Sequence, residues 1–368
     1  MAYLKRFFLT IGSILSLAGA IDYAIDPFDL WSPPKIDRIN TVKSVGNPRF
    51  VKPLQVERRD PETVILGTSR AFYGIDPQGL AGGDRIYNFG MPAATATEVK
   101  GYGLHVLEDT NAKRLIIGLD FFSFNDLSSP DPAYDDAVLG RHAVLRAAPL
   151  ILFTQAALER SWRTIRASRR GVAADFHHDG FAVIPPVPGK DGTAIALEDL
   201  HRFLHLPYLY GHYESFERSM ADYRALLVAA KAKGLDVITY ISPEHASLTE
   251  AVHVAGLWPR LNEWKRRLVA ISEPMGIPLW DFSGFNRLTT TPLGGEMETH
   301  VDASHFRPWV GRLVIERIRG AAEPADFGER LTSATIEAHL ARIDRDREAY
   351  LLSRPQDAAR VQAIAHGP

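Results

Sequence analysis

Five short apolar runs separated by helical patterns constrain this chain more than any other feature. They are Thr63 to Ser69, Arg85 to Met91, Arg114 to Phe121, Asp236 to Ser242 and Pro278 to Phe282, mostly continuous rather than alternating. Continuous runs suit strands covered on both faces, as in a parallel sheet. Phe216, Met220, Tyr223, Leu227 and Ala230 recur at helical spacing, and so do Leu261, Trp264, Leu268 and Ile271. Gly234 and Gly276 follow these two helices just before the next strand, where helix C-caps fall in αβ units. Strand, helix, strand alternation means a parallel sheet. The expected fold is therefore α/β: a three-layer α/β/α sandwich around a five-stranded, mainly parallel sheet.

The chain has 368 residues, 46% of them apolar, enough for one large domain with insertions or two small ones. The segment from about Asn125 to Tyr213 breaks the strand rhythm. It carries two loops, Ser128 to Asp136 and Pro185 to Gly192, around a helix on which Arg160, Arg163, Arg166, Arg169 and Arg170 form a basic stripe. Such a stripe is a solvated face or a contact for anionic lipid headgroups or an acidic polysaccharide. Ile336, Leu340, Ile343 and Tyr350 predict a long amphipathic helix near the carboxyl terminus. The expected organisation is residues 1–26 as signal anchor or signal peptide and 27–60 as an extended linker or wrap. The domain then fills 61–320 with an insertion at 125–213, and a helical tail fills 321–368.

Lys5 and Arg6 precede an uncharged apolar stretch from Phe7 to Ile21, which meets Asp22 and Asp26. Basic-then-apolar order at the start of a chain reads as an export signal or a signal anchor, and Ala18-Gly19-Ala20 resembles a cleavage site. Either reading places the globular part outside the cytoplasm. A net charge of -2 gives no bulk argument for a nucleic-acid partner, and the absence of cysteine excludes disulfides and thiolate chemistry.

A small-residue turn, Gly67-Thr68-Ser69, closes the first apolar run, so Ser69 falls at the carboxyl edge of the sheet, where open α/β folds place their sites. A serine hydroxyl becomes a useful nucleophile when an imidazole takes its proton and a carboxylate orients that imidazole. Asp302 and His305, three residues apart after the last strand-like run, supply that pair. Thirteen histidines make about one Asp-x-x-His expected by chance, and Asp175 with His178 repeats the spacing without a strand pattern before it. Position favours Asp302 and His305. Asp120 and Asp281 end strands on the same edge, and His245 begins beyond another strand, where it faces a possible cleft. No metal or other cofactor is expected: His177 and His178 are adjacent, and Glu296, Glu298 and His300 lack a paired-histidine spacing.

Several blocks coincide in order, and between Thr63 and Gly311 the chain resembles the SGNH (GDSL-like) hydrolase superfamily, whose fold is flavodoxin-like. Gly67-Thr68-Ser69-Arg70, with Gly74-Ile75-Asp76-Pro77, resembles the nucleophile block. Tyr87-Asn88-Phe89-Gly90-Met91-Pro92 resembles the block with the oxyanion-hole glycine, and Asp302-Ala303-Ser304-His305-Phe306 the block with acid and base. An anchor followed by Tyr23-Ala24-Ile25-Asp26-Pro27-Phe28 is similar to envelope proteins of exopolysaccharide O-acetylation and lipoteichoic acid D-alanylation. The resemblance implies Ser69, His305 and Asp302 as catalytic residues and the N–H groups of Ser69 and Gly90 as oxyanion donors. It further implies an acyl, acetyl above all, moved on or removed from a carbohydrate polymer, with an integral-membrane acyltransferase as a possible partner. One position departs: the superfamily's oxyanion asparagine in Gly-x-Asn-Asp is matched by Asp120, whose carboxylate would repel an oxyanion. Asn125 is the candidate substitute, and loss of one donor would cost roughly 3 to 4 kcal/mol of transition-state stabilisation. Arg70 and Asp120 are then cleft residues. Esterase and transferase chemistry both remain open, as does a non-catalytic carbohydrate-binding or assembly role.

Overall fold

The computed structural model describes residues 1–80, 85–135, 139–171, 176–185, 187–321 and 324–367. Asp175 and Asp136 lie outside the described residues. Among those described, one sheet has six strands: β1 (Thr63–Leu66), β2 (Ile86–Asn88), β3 (Arg114–Leu119), β4 (Asp236–Ile241), β5 (Leu279–Asp281) and β6 (Glu329–Leu331). Their spatial order is β2-β1-β3-β4-β5-β6. The first five are parallel, with Ile65 opposite Asn88 and Ile116, Ile117 opposite Thr239, and Ile241 opposite Asp281. β6 runs antiparallel to β5, Leu279 facing Leu331. The sheet is therefore mixed and six-stranded rather than the five-stranded one expected. An edge strand of Glu-Arg-Leu needs only one apolar side chain, Leu331, on the core, so it leaves no apolar run to read.

Helices cover both faces. α1 (Ala2–Ile25) and α2 (Pro48–Arg59) precede the sheet, and α3 (Ser69–Gly74) and α4 (Ala96–Asp109) follow β1 and β2. α5 (Ala143–Leu152), α6 (Gln155–Arg170) and α7 (Gly192–His205) lie between β3 and α8 (Glu217–Ala232), which leads into β4. α9 (Ala246–Val254) and α10 (Trp258–Ser272) precede β5. α11 (Pro308–Ile318) comes before β6, and α12 (Ile336–Ser353) and α13 (Pro355–His366) come after it. Side chains alternate across the strands. Val64, Leu66, Leu115, Ile117, Val237 and Leu279 join one core with α4, α8 and α10, while Ile65, Ile116, Tyr240 and Phe282 join another with α3 and α11.

Two segments differ from expectation. Residues 27–60 contain α2, capped by Asn47 with Pro48 at its first position. Its buried face includes Arg49, Lys52 and Gln55. Arg49 donates to Glu98 at 2.8 Å, Lys52 to the carbonyls of Gly90 and Gly180, and Gln55 to the carbonyl of Phe28. Polar side chains that find partners inside leave no apolar periodicity in the sequence. The second segment is the expected helical tail, which also contributes β6 to the sheet; the amphipathic helix itself forms as expected, as α12, with Ile336, Leu340, Ile343 and Tyr350 buried.

α1 has 24 residues with a mean hydropathy of 1.6 over its most apolar window, long and apolar enough for a membrane anchor or a signal sequence.

Candidate active site

The position of Ser69 follows from one glycine. Gly67 adopts φ 151°, and a Cβ there would come within 2.9 Å of the Ala71 Cβ and 3.3 Å of the Gly118 carbonyl oxygen. The chain can thus turn from β1 into α3 flush against β3. Thr68 caps α3: its Oγ1 accepts from the Arg70 N–H at 3.2 Å and donates to Asp120 Oδ2 at 2.6 Å. Ser69 is the first residue of α3, half-buried, at the carboxyl end of β1. β1 lies between β2 and β3, the switch point at which open α/β sheets form a crevice.

Asp302 and His305 occupy a tight loop closed by two backbone bonds, Val301 N–H to the His305 carbonyl and Arg307 N–H to the Thr299 carbonyl, each 2.8 Å. Asp302 Oδ1 accepts the N–H groups of Ser304 and His305, at 2.8 and 2.7 Å. Its Oδ2 accepts from His305 Nδ1 at 2.7 Å, and His305 Nε2 lies 2.9 Å from Ser69 Oγ. An ionised carboxylate only accepts, so Nδ1 carries the proton and Nε2 is free to take one from Ser69. The loop reaches Ser69 because α11, which starts just after it, crosses α3 with glycine on glycine. A Cβ at Gly311 would lie 1.8 Å from the Gly74 carbonyl oxygen, and one at Gly74 would lie 2.2 Å from the Phe306 ring. Tyr73, from α3, sets its ring edge-on to His305 at 5.6 Å.

Electrostatics agree with this geometry. Burial alone would push the Asp302 carboxyl up, but the His305 charge and the bonds from His305 and Ser304 outweigh it and hold it below the ordinary range. Burial would push His305 down, but the Asp302 charge and hydrogen bond prevail and raise it. Beneath the triad the buried Arg70 ties four chain segments together. Nε donates to Ser304 Oγ at 3.2 Å, Nη1 pairs with Asp120 at 3.0 Å and Nη2 with Glu244 at 2.8 Å, while the guanidinium lies 5.3 Å from the Phe122 ring centre.

The sequence-derived residues divide accordingly. Ser69, His305 and Asp302 meet, and Arg70 and Asp120 lie directly under them. Asp120 is engaged by Thr68 and Arg70 and supplies no donor. Gly90 is corrected as an oxyanion donor: its N–H bonds Asn88 Oδ1 at 2.9 Å, because Asn88 folds back to brace the turn while its Nδ2 holds the carbonyls of Ala71 and Ile75. Asn125 is corrected too. Its Nδ2 donates to the carbonyls of Pro207, Leu209 and His212, and its Oδ1 accepts from Leu127 and Glu214, so it fastens the insertion. His245 does not face a cleft: it is wholly buried, with Nδ1 2.8 Å from Ser247 Oγ and Nε2 2.8 Å from the Thr291 carbonyl. Burial pushes it down to about 4. Asp281 pairs with Lys265 and His339 beside a cleft of about 770 Å³ at the β5–β6 edge, which contains none of the triad.

Two residues escaped the sequence reading. Ala93, exposed in the turn after β2, has φ 51°, uncommon for a non-glycine residue and of a kind that clusters at functional sites. The Met91 N–H bonds the Gly67 carbonyl at 3.0 Å, so this turn leaves the sheet beside the turn that carries Ser69. The N–H of Ala93 has no acceptor among the described residues. Nothing in Pro92-Ala93-Ala94 signals that geometry in advance. The other is Asp199 on α7, 5% exposed, with Oδ2 unpartnered and Oδ1 only 3.5 Å from Arg202. Burial, then the charge of Asp302, pushes it up to about 7, and its own charge acts on His305. No protein-family model matches the chain, and neither does any curated protein.

Proposed function

We propose that this chain is an SGNH-like serine acyl esterase or O-acyltransferase, built on a three-layer α/β/α sandwich with one antiparallel edge strand added. The observation that carries the reading is the unbroken Ser69–His305–Asp302 hydrogen-bond relay at the sheet's switch point. His305 Nε2 takes the Ser69 proton as Oγ attacks an acyl carbonyl, and Asp302 stabilises the resulting imidazolium. The N–H groups of Ser69 and Ala93 receive the oxyanion, with Ala93 in the role expected for Gly90. The tetrahedral intermediate expels the alcohol, which takes the proton back from His305. Water or a sugar hydroxyl then releases the acyl group by the reverse sequence.

The substrate class, an acyl and above all an acetyl ester of an envelope or extracellular polysaccharide, rests on the sequence resemblance. So does an integral-membrane acyltransferase as partner. α1 serves as the anchor, with Lys5 and Arg6 inside and the domain in the periplasm or otherwise outside the cytoplasm. A carbohydrate-binding or assembly subunit without catalysis is the second reading, favoured by one observation: Asp120 is fixed as a carboxylate where an amide donor is expected.

A fluorophosphonate probe separates the two. The first reading expects an adduct mapped to Ser69 that disappears in Ser69→Ala and His305→Ala, together with Ser69-dependent release of 4-nitrophenol from its acetate ester. A folded protein that forms no adduct, or hydrolysis equal in Ser69→Ala, would leave the second reading.

A further inference from the structure

The base of α1 is built into the domain. Phe153 packs so closely on Gly19 that a Cβ there would meet its ring at 2.4 Å, and Asp22 accepts a hydrogen bond from Ser161 Oγ at 2.6 Å. N-terminal to Ala18 the helix is exposed on all sides. Phe7 to Ile21 would span about 22 Å at 1.5 Å per residue, and Lys5 and Arg6 can reach back to the inner headgroups to complete the crossing of a hydrocarbon core of roughly 30 Å. If α1 spans, the α5–α6 elbow at Phe153 and Thr154 meets it at the outer edge of that core.

The elbow has the surface of something seated there. Leu145, Leu150, Phe153, Leu158 and Trp162 are exposed, Leu150 at 57% and Trp162 at 56%, although α5 is among the most apolar helices of the chain. Arg163, Arg166, Arg169 and Arg170 are exposed on α6 and form no ion pair among the described residues. Apolar side chains beside a tryptophan and unpaired arginines match the sequence of layers from acyl chains through interface to phosphates. We propose that the α5–α6 elbow is seated in the same bilayer that holds α1, with Leu150 and Phe153 among the acyl chains, Trp162 at the interface and Arg163 and Arg166 on headgroup phosphates.

The proposal rests on α1 spanning and is independent of the catalytic reading. It gives the domain two attachments and so a fixed tilt. The apolar cluster beneath the elbow, with Val144, Ala147 and Ile151, also contains Phe72 of α3, so the seat holds the helix of Ser69 at a set height.

The chain has no cysteine, so single spin labels can be placed one at a time in the full-length protein. The protein is reconstituted into phosphatidylcholine vesicles with and without phosphatidylglycerol. Labels at Leu150→Cys and Phe153→Cys, like one at Leu15→Cys in α1, should collide several-fold more with oxygen than with a water-soluble nickel chelate. A label at the exposed Val228→Cys on α8 should show the reverse. In phosphatidylglycerol vesicles, Arg163→Glu with Arg166→Glu should raise nickel accessibility at Leu150→Cys. Leu150 and Phe153 labels as wet as Val228 while Leu15 stays dry would overturn the seat alone and leave the face to a protein partner. A wet Leu15 label would overturn the anchor and the seat together.

Discussion

Gly311→Ala probes how two loops more than two hundred residues apart come within hydrogen-bonding distance. The new Cβ would sit 1.8 Å from the Gly74 carbonyl oxygen, and real Cβ atoms do not come closer than 3.0 Å. α11 and α3 must therefore part by roughly 1.2 Å, since a backbone oxygen cannot rotate away as a side chain can. Ser69 stands at the start of α3 and His305 just before α11, so their 2.9 Å contact would open to about 4 Å, past hydrogen-bonding range. Misplacement of about 1 Å costs on the order of a hundredfold in rate, and overpacking costs about 1–3 kcal/mol. The expected result is a fluorophosphonate labelling rate about two orders of magnitude lower, with a measurable drop in the unfolding midpoint. Gly79→Ala, where nothing lies within 4 Å of the new methyl, should leave both unchanged. A Gly311→Ala protein that labels and melts like the parent would show that the α3–α11 crossing does not set the triad.

Labelling needs neutral His305, so its rate should climb with pH through a value above the ordinary histidine range. The charge of Asp199 helps hold that value up, and Asp199→Asn should move the acid limb to lower pH; a limb that stays put would separate α7 from the chemistry. Arg70→Leu strands the buried carboxylates of Asp120 and Glu244 and should lower unfolding free energy by about 3–5 kcal/mol in denaturant titration, whereas a loss below about 1 kcal/mol would contradict the pairing. The His305–Asp302 pair has its own pH window. The raised His305 value gives stability that is full below its unfolded value and lost as pH rises through the folded one. The lowered Asp302 value gives stability present above its unfolded value and lost as pH falls through the folded one. The pair should thus contribute most between about 4 and about 6.5, and His305→Gln should lower stability in that window and flatten the stability–pH curve on either side of it.

The five parallel strands, the helices around Met220 and Trp264 and the order of the serine, aspartate and histidine were legible in the sequence. Each is a local pattern: continuous apolar runs bury both faces of a strand, 3.6-residue periodicity buries one face of a helix, and a glycine turn ends a strand. Tertiary structure decided the rest. Gly90, Asn125 and His245 have suitable chemistry in suitable places along the chain, yet each spends its hydrogen bonds on partners that only folding supplies: Asn88, three carbonyls of the insertion, and Ser247 with Thr291. α2 stayed hidden because its buried face is half polar, and β6 because an edge strand buries so little. The left-handed Ala93 and the unpartnered Oδ2 of Asp199 leave no trace in composition or spacing. A residue's type fixes which bonds it can make, but which of them remain for a substrate depends on how the folded chain arranges both its near neighbours, such as Asn88 and Ser247, and its distant ones.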